Sequence, residues 1–242
     1  SMNSLTPGEM TTEALKLYND GLFPEAVALF KNAASLGDPG AQHLLGLMYE
    51  VGDQIEKNYE QAIKLQISAS NQGNQYAQAH LGGVYVHGLL NQDIDYEKAA
   101  YWFLKSAEQG NVSAICDLGN MYSYGLHFPQ DKEKAFTYYE KATRLDSDIA
   151  AYHLANLILS KLVTNQDTGL AIKLLDAAAT RGFTLAQYHL GMHYIDGIYV
   201  EQDYVKAFQL LTLAADSGNS DAQTSLAILY SRGLGCNQDS IK

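Results

Sequence analysis

The chain has 242 residues, of which 47% are hydrophobic and only 4 are proline, and it carries a formal net charge of −11. That length can bury a substantial core, and that composition excludes a disordered tail or a linker-rich assembly. With 27 acidic side chains against 16 basic ones, a phosphate backbone is repelled on average, so nucleic acid is not expected as a partner.

At the start, SMNSLTPGEM lacks the basic residues and apolar stretch of a secretory signal. Residues 1–10 are expected to be an appended or flexible N-terminus, and 11–242 a single repeat solenoid that stops within its last repeat. No run of about 18 apolar residues follows, so direct membrane insertion by a helix is not expected. The compartment is left open between the cytoplasm and a periplasmic or secreted location. Next comes a ladder of leucines, each before a small residue: Leu45, Leu81, Leu118, Leu154, Leu190 and Leu226. The steps are 36 residues, with one of 37. Four residues beyond each leucine stand Tyr49, Tyr85, Tyr122, Ile158, Tyr194 and Tyr230, and three further on Gly52, Gly88, Gly125, Lys161, Gly197 and Gly233. A second ladder, Ala26, Ala62, Ala99, Ala135, Ala171 and Ala207, keeps the same step. It is answered eleven residues later by Gly37, Gly73, Gly110, Asp146, Gly182 and Gly218.

A leucine and a tyrosine at i and i+4 share one helical face, and the small neighbour lets a second helix approach closely. Glycine then ends the first helix, because it tolerates the left-handed turn beyond a C-terminus. Asn58, Asp95, Asp131, Asp167, Asp203 and Asp239 recur just before the second helix, where a short carboxylate or amide suits an N-cap. The predicted unit is helix–loop–helix–turn, with helices of roughly 13 and 15 residues set by the ladder spacing. One such unit cannot bury its own apolar face, so the expected fold is all-α: a right-handed superhelical solenoid of six to seven stacked units.

These residues resemble the Sel-1-like repeat family, relatives of tetratricopeptide repeats. The motif is an alanine, then Leu-Gly-x-x-Tyr-x-x-Gly, a loop with Asp, Lys-Ala, and Ala-Ala-x-x-Gly. It reads AQAHLGGVYVHG…DYEKAAYWFLKSAEQG from Ala77 to Gly110, and AQYHLGMHYIDG…DYVKAFQLLTLAADSG from Ala186 to Gly218. The unit around Ile158 departs most, with Lys161 and Asp146 in glycine positions, and is expected to bend the stack or be looser. The first unit is shortened, with 31 residues between Tyr18 and Tyr49. The last segment, NQDSIK, matches EQDYVKA of the preceding unit but stops where the next ladder alanine would stand, so the parent protein is expected to continue.

The resemblance implies a protein-interaction scaffold or adaptor without catalysis, of the kind found in bacterial regulatory, host-interaction and toxin-neutralising proteins. It also implies that the first helix of each pair lines a concave face. Mapped so, the candidate partner-binding residues are Val86, His87, Asn120, Tyr124, Tyr152, Asn156, Tyr188, Met192, Ile195, Asp196 and Arg232. His43, Leu47, Glu50, Cys116, Leu159, Thr224 and Ile228 occupy equivalent positions. Tyrosine and aliphatic anchors mixed with amides suit a protein or peptide, neutral-to-basic or apolar, since basic side chains are scarce there. The alternative is an enzyme or small-ligand binder, cell-wall related for instance, using the same groove; a third reading is a structural spacer. Exposed aromatics would favour binder over spacer, and a buried, perturbed carboxylate would favour the enzyme. No HExxH, GxSxG, Walker-type or dinucleotide fingerprint is present, and no cofactor is expected. His189 and His193 have zinc-compatible i, i+4 spacing, yet His80, His153 and His189 share one repeat position, which makes them structural first. Cys116 and Cys236, 120 residues apart, read as free thiols.

Overall fold

The structure, a computed structural model, describes residues 4–236. Among the described residues there are thirteen helices, each of 13 residues, and no strand. They are α1 (Pro7–Asn19), α2 (Phe23–Ser35), α3 (Pro39–Val51), α4 (Tyr59–Asn71), α5 (Gln75–His87), α6 (Tyr96–Glu108) and α7 (Val112–Tyr124). Then follow α8 (Lys132–Arg144), α9 (Asp148–Ser160), α10 (Thr168–Thr180), α11 (Thr184–Asp196), α12 (Tyr204–Asp216) and α13 (Ser220–Arg232). The chain forms two compact units with the boundary after Pro129, so α1–α7 belong to the first and α8–α13 to the second.

The expected caps form. Asn58, Asp95, Asp131, Asp167 and Asp203 each accept a hydrogen bond from the backbone N–H three residues on, at 2.9–3.0 Å. Asp239 lies outside the described residues. A second set of caps, at Asp38, Asn74, Asn111, Ser147 and Asn219, opens the first helices α3, α5, α7, α9 and α13. The first turn of α1 carries a capping box between Thr6 and Glu9 and begins at Pro7. Second helices are 13 residues long rather than 15, because the chain leaves the helix before the ladder glycine. In α4, for example, Gly73 (φ +92°) turns so that its N–H donates to Ser70 and that of Asn74 donates to Ala69. The short first unit is explained by its connection: α1 passes to α2 through Asp20–Leu22, with none of the loop that joins later pairs.

Packing follows the ladders. Ala26, Ala62, Ala99, Ala135, Ala171 and Ala207 are fully buried, as are Ala41, Ala77, Ala114, Ala150, Ala186 and Ala222 of the first helices. The small residue after the ladder leucine does admit the second helix. A Cβ on Gly82 would stand 2.6 Å from the ring of Phe103, one on Gly46 2.8 Å from the amide of Gln66, and one on Gly191 3.0 Å from Leu211. The facing position runs Phe30, Gln66, Phe103, Tyr139, Leu175 and Leu211, all buried. Bulk on one helix is thus matched to absence of bulk on the next.

Candidate interaction surface

In the first unit, α3, α5 and α7 line a common cleft of roughly 400 Å³. Its walls include His43 and Leu47 from α3, Tyr76, Ala79, His80 and Gly83 from α5, and Asn111, Ser113 and Asp117 from the α7 segment. Helical spacing explains the grouping: residues two before, one before and two after each ladder leucine share one side of the first helix. Tyr76 is 61% exposed.

The polar groups of this cleft are ordered. Gln66 donates its amide to the carbonyl of His43 (3.1 Å), which leaves its own carbonyl to accept from His43 Nδ1–H (2.8 Å). Burial pushes the pKa of His43 down, so its ring is neutral. His80 Nε2 lies 3.1 Å from Glu50. Asp117 is half-buried, and burial pushes its carboxyl up to about 6. The Asn120 amide, at 3.5 Å, is its hydrogen-bond contact. Among the described residues, no lysine, arginine or histidine lies within ion-pair distance of it.

Of the residues expected on this face, Tyr124 is 65% exposed and His87 is exposed, while Val86 and Asn120 are half-buried. Cys116 is buried, and burial with the neighbouring Asp117 charge pushes its thiol up to about 12, which makes it a poor nucleophile. Both Cys116 and Cys236 are free.

In the second unit the expected residues divide between surface and interior. Asp196, Thr224, Ile228 and Arg232 are exposed, and Asn156 is half-buried. Tyr188, Met192 and Ile195 are half-buried against the core around Leu211 and Leu229. Tyr152 and Leu159 are buried instead. The Tyr152 hydroxyl meets His189 Nε2 at 2.8 Å, and its ring packs edge-on against Phe183 and His189. His153 stacks on Tyr139, and burial pushes the pKa of His153, His189 and His193 down. Among the described residues, no group of three His, Cys, Asp or Glu side chains is arranged to hold a metal ion. No helix among them is long and apolar enough to cross a membrane.

Asp117, Tyr76 and Leu89 were missed from sequence. Asp117 could have been found: the position before the ladder leucine reads Leu44, His80, Asp117, His153, His189 and Ser225, so it is the single carboxylate in that column.

The Sel1 repeat family model matches residues 20–38, 39–74, 75–111, 112–147, 149–183, 184–219 and 220–242. A Sel1 repeat protein from Oxalobacter formigenes is similar at 27% identity and a TM-score of 0.83, covering 92% of this chain and 91% of its own. A protective antigen of uropathogenic Escherichia coli with the same kind of fold is 30% identical, with a TM-score of 0.75. That match covers 96% of this chain and 51% of the antigen, so this chain spans about half the antigen's length. An immunity protein of Pseudomonas aeruginosa, 20% identical with a TM-score of 0.56 over 87% of this chain and 81% of its own, shares the fold. A comparison with curated proteins returns no match. Helical repeats of this class generally serve as protein-interaction scaffolds. Seven consecutive matches across the chain, on a structure of stacked 13-residue helices, make it a member of the Sel1 repeat family.

Proposed function

We propose that the chain is a non-catalytic scaffold that holds a protein or peptide against the first-helix faces of its repeats. The observation that carries this reading is the cleft formed by α3, α5 and α7, with solvent-facing Tyr76 on its wall and Tyr124 exposed at the end of α7. Rigid aromatic side chains beside ordered amides supply contact area at low entropic cost. The net charge of −11 supports a neutral-to-basic or apolar partner. The test is capture of partners by the tagged chain beside a Tyr76→Ala, Tyr124→Ala, Tyr188→Ala, Met192→Ala variant whose helicity is first confirmed by circular dichroism. A partner held by the parent and lost by the variant supports the scaffold. A partner held equally by both moves binding to the opposite face, and retention by neither favours a spacer.

The raised pKa of Asp117 favours a second reading, a small-ligand site or enzyme in the same cleft. Against it, the neighbouring Cys116 thiol is pushed up to about 12, and Asp117 has no second carboxylate lining its cleft to share acid–base work. Thermal-shift screening with metabolites, set against peptides, separates the two: saturable stabilisation by a small molecule that Asp117→Asn abolishes would replace the scaffold reading.

A further inference from the structure

The first unit carries a second cavity beside the cleft. It measures roughly 390 Å³ and is lined by Leu15, Tyr18, Phe30, Leu44, Met48 and Val51, with Glu50 and Asp53. Leu47 belongs to both cavities, and the Glu50–His80 contact at 3.1 Å ties a residue of one to a residue of the other. The cavity beside the cleft is apolar and under-covered: Leu15 is 40% exposed and Val51 70% exposed. The cleft itself holds Asp117. Neither is lined by a lysine or arginine, and the carboxyls Glu50, Asp53 and Asp117 belong to the pair.

We propose that this double cavity binds an extended protein segment in which a bulky apolar side chain lies close to a lysine or arginine. The apolar side chain fills the space between Leu15, Phe30 and Val51, and the cation reaches Asp117. The assignment rests on the scaffold reading and names its partner class. Charge complementarity selects the occupant. Asp117 is half-buried with no lysine or arginine in its cleft. The only charge that draws its pKa down is the exposed His87 imidazole, which forms no ion pair with it, and His43 is held neutral by burial, so a guest ammonium or guanidinium would supply a permanent counter-charge. An acidic segment would meet three carboxyls, and a purely apolar one would leave Asp117 desolvated and unpaired. Asp53 is already engaged by the Tyr18 hydroxyl and Glu50 by His80, which leaves Asp117 as the group in need of a partner.

The test is selection of a random dodecapeptide phage library on the immobilised full chain. Labelled synthetic versions of the selected peptides are then titrated by fluorescence anisotropy. Selected peptides are expected to pair Lys or Arg with Leu, Met, Phe or Trp. Affinity should fall tenfold or more for Asp117→Asn and for Val51→Glu, two changes at positions whose helices stay intact by circular dichroism. Replacing the peptide lysine by norleucine should weaken binding to the parent chain and leave binding to Asp117→Asn unchanged. Acidic winners, or winners indifferent to both substitutions, overturn the assignment. If such winners lose affinity to Tyr188→Ala with Met192→Ala, the scaffold reading stands and the first-unit site falls. Enrichment no greater than on an unrelated protein sinks both.

Discussion

Two residues adopt a backbone conformation that their neighbours in the repeat leave to glycine. Lys161 closes α9 at φ +61° and Asp146 follows α8 at φ +68°, where the equivalent glycines sit at φ +64° to +94°. The unit around Ile158 thus keeps the left-handed turns of the others, but it holds two side chains in that region. Lys161→Gly and Asp146→Gly are each expected to stabilise the chain by about 0.5–1 kcal/mol in urea titrations, since the relieved strain exceeds the added freedom of the unfolded chain. His193 is a different local conflict. It occupies a column otherwise filled by Met48, Val84, Met121, Leu157 and Leu229, and its buried Nε2 has no hydrogen-bond partner. His193→Met should raise stability by about 1 kcal/mol at neutral pH, and by more in acid, because the buried ring resists protonation.

Between helices, shape decides. Gly82 and Gly83 are sequence neighbours with opposite surroundings: a Cβ on Gly82 would collide with the Phe103 ring, while one on Gly83 meets nothing within 4 Å. Gly82→Ala is expected to destabilise by about 1–3 kcal/mol through forced displacement of α6. Gly83→Ala should stabilise by about 0.5–1 kcal/mol through helix propensity alone, and chemical denaturation of the pair checks both signs. Successive pairs are also joined by a side-chain amide, buried at Gln42, Gln78 and Gln187. Gln42, Gln78, Gln187 and Gln223 each donate to the carbonyl eight residues back, at 3.1–3.3 Å, satisfying a group that the end of the preceding helix leaves open. Replacing Gln78 by Leu removes that bond and also the 2.9 Å bond from the Gln109 amide, which keeps its other acceptor, the Gly73 carbonyl at 2.8 Å. The expected cost, read from the urea midpoint, is about 1–2 kcal/mol. This glutamine was not legible as structural, since the pattern marked only the alanine before it.

At the scale of the molecule, titratable groups are divided unequally. His153, His189 and His193, whose pKa values burial lowers, belong to the second unit. Such histidines take up protons first in the unfolded chain, so the stability they contribute is lost as pH drops below about 6.5. In the first unit the sign is mixed. His43 behaves likewise, but the carboxyl of Asp117, raised to about 6, protonates more readily in the folded state and gains stability as pH falls. Trp102, the single tryptophan, reports on the first unit. Between pH 7.5 and 5.5 the midpoint followed by helical circular dichroism should therefore fall further than that followed by Trp102 fluorescence. Helix pairs, loop positions, glycine ends and second-helix caps were legible because each recurs in register along the chain. Two kinds of fact were not. Whether Tyr124 faces water while Tyr152 is buried depends on what Phe183 and His189 bring against the latter, and the Asp117 cleft exists because three helices meet around it; neither leaves a periodic trace. The packing also has a kinetic consequence. Among the described residues, the main helix–helix contacts in each unit join partners one or two places apart in the chain, as α1 with α2 and α3, or α5 with α6 and α7. No long loop must close before contacts form, so each unit is built for rapid, zipper-like folding that can start at any adjacent helix pair.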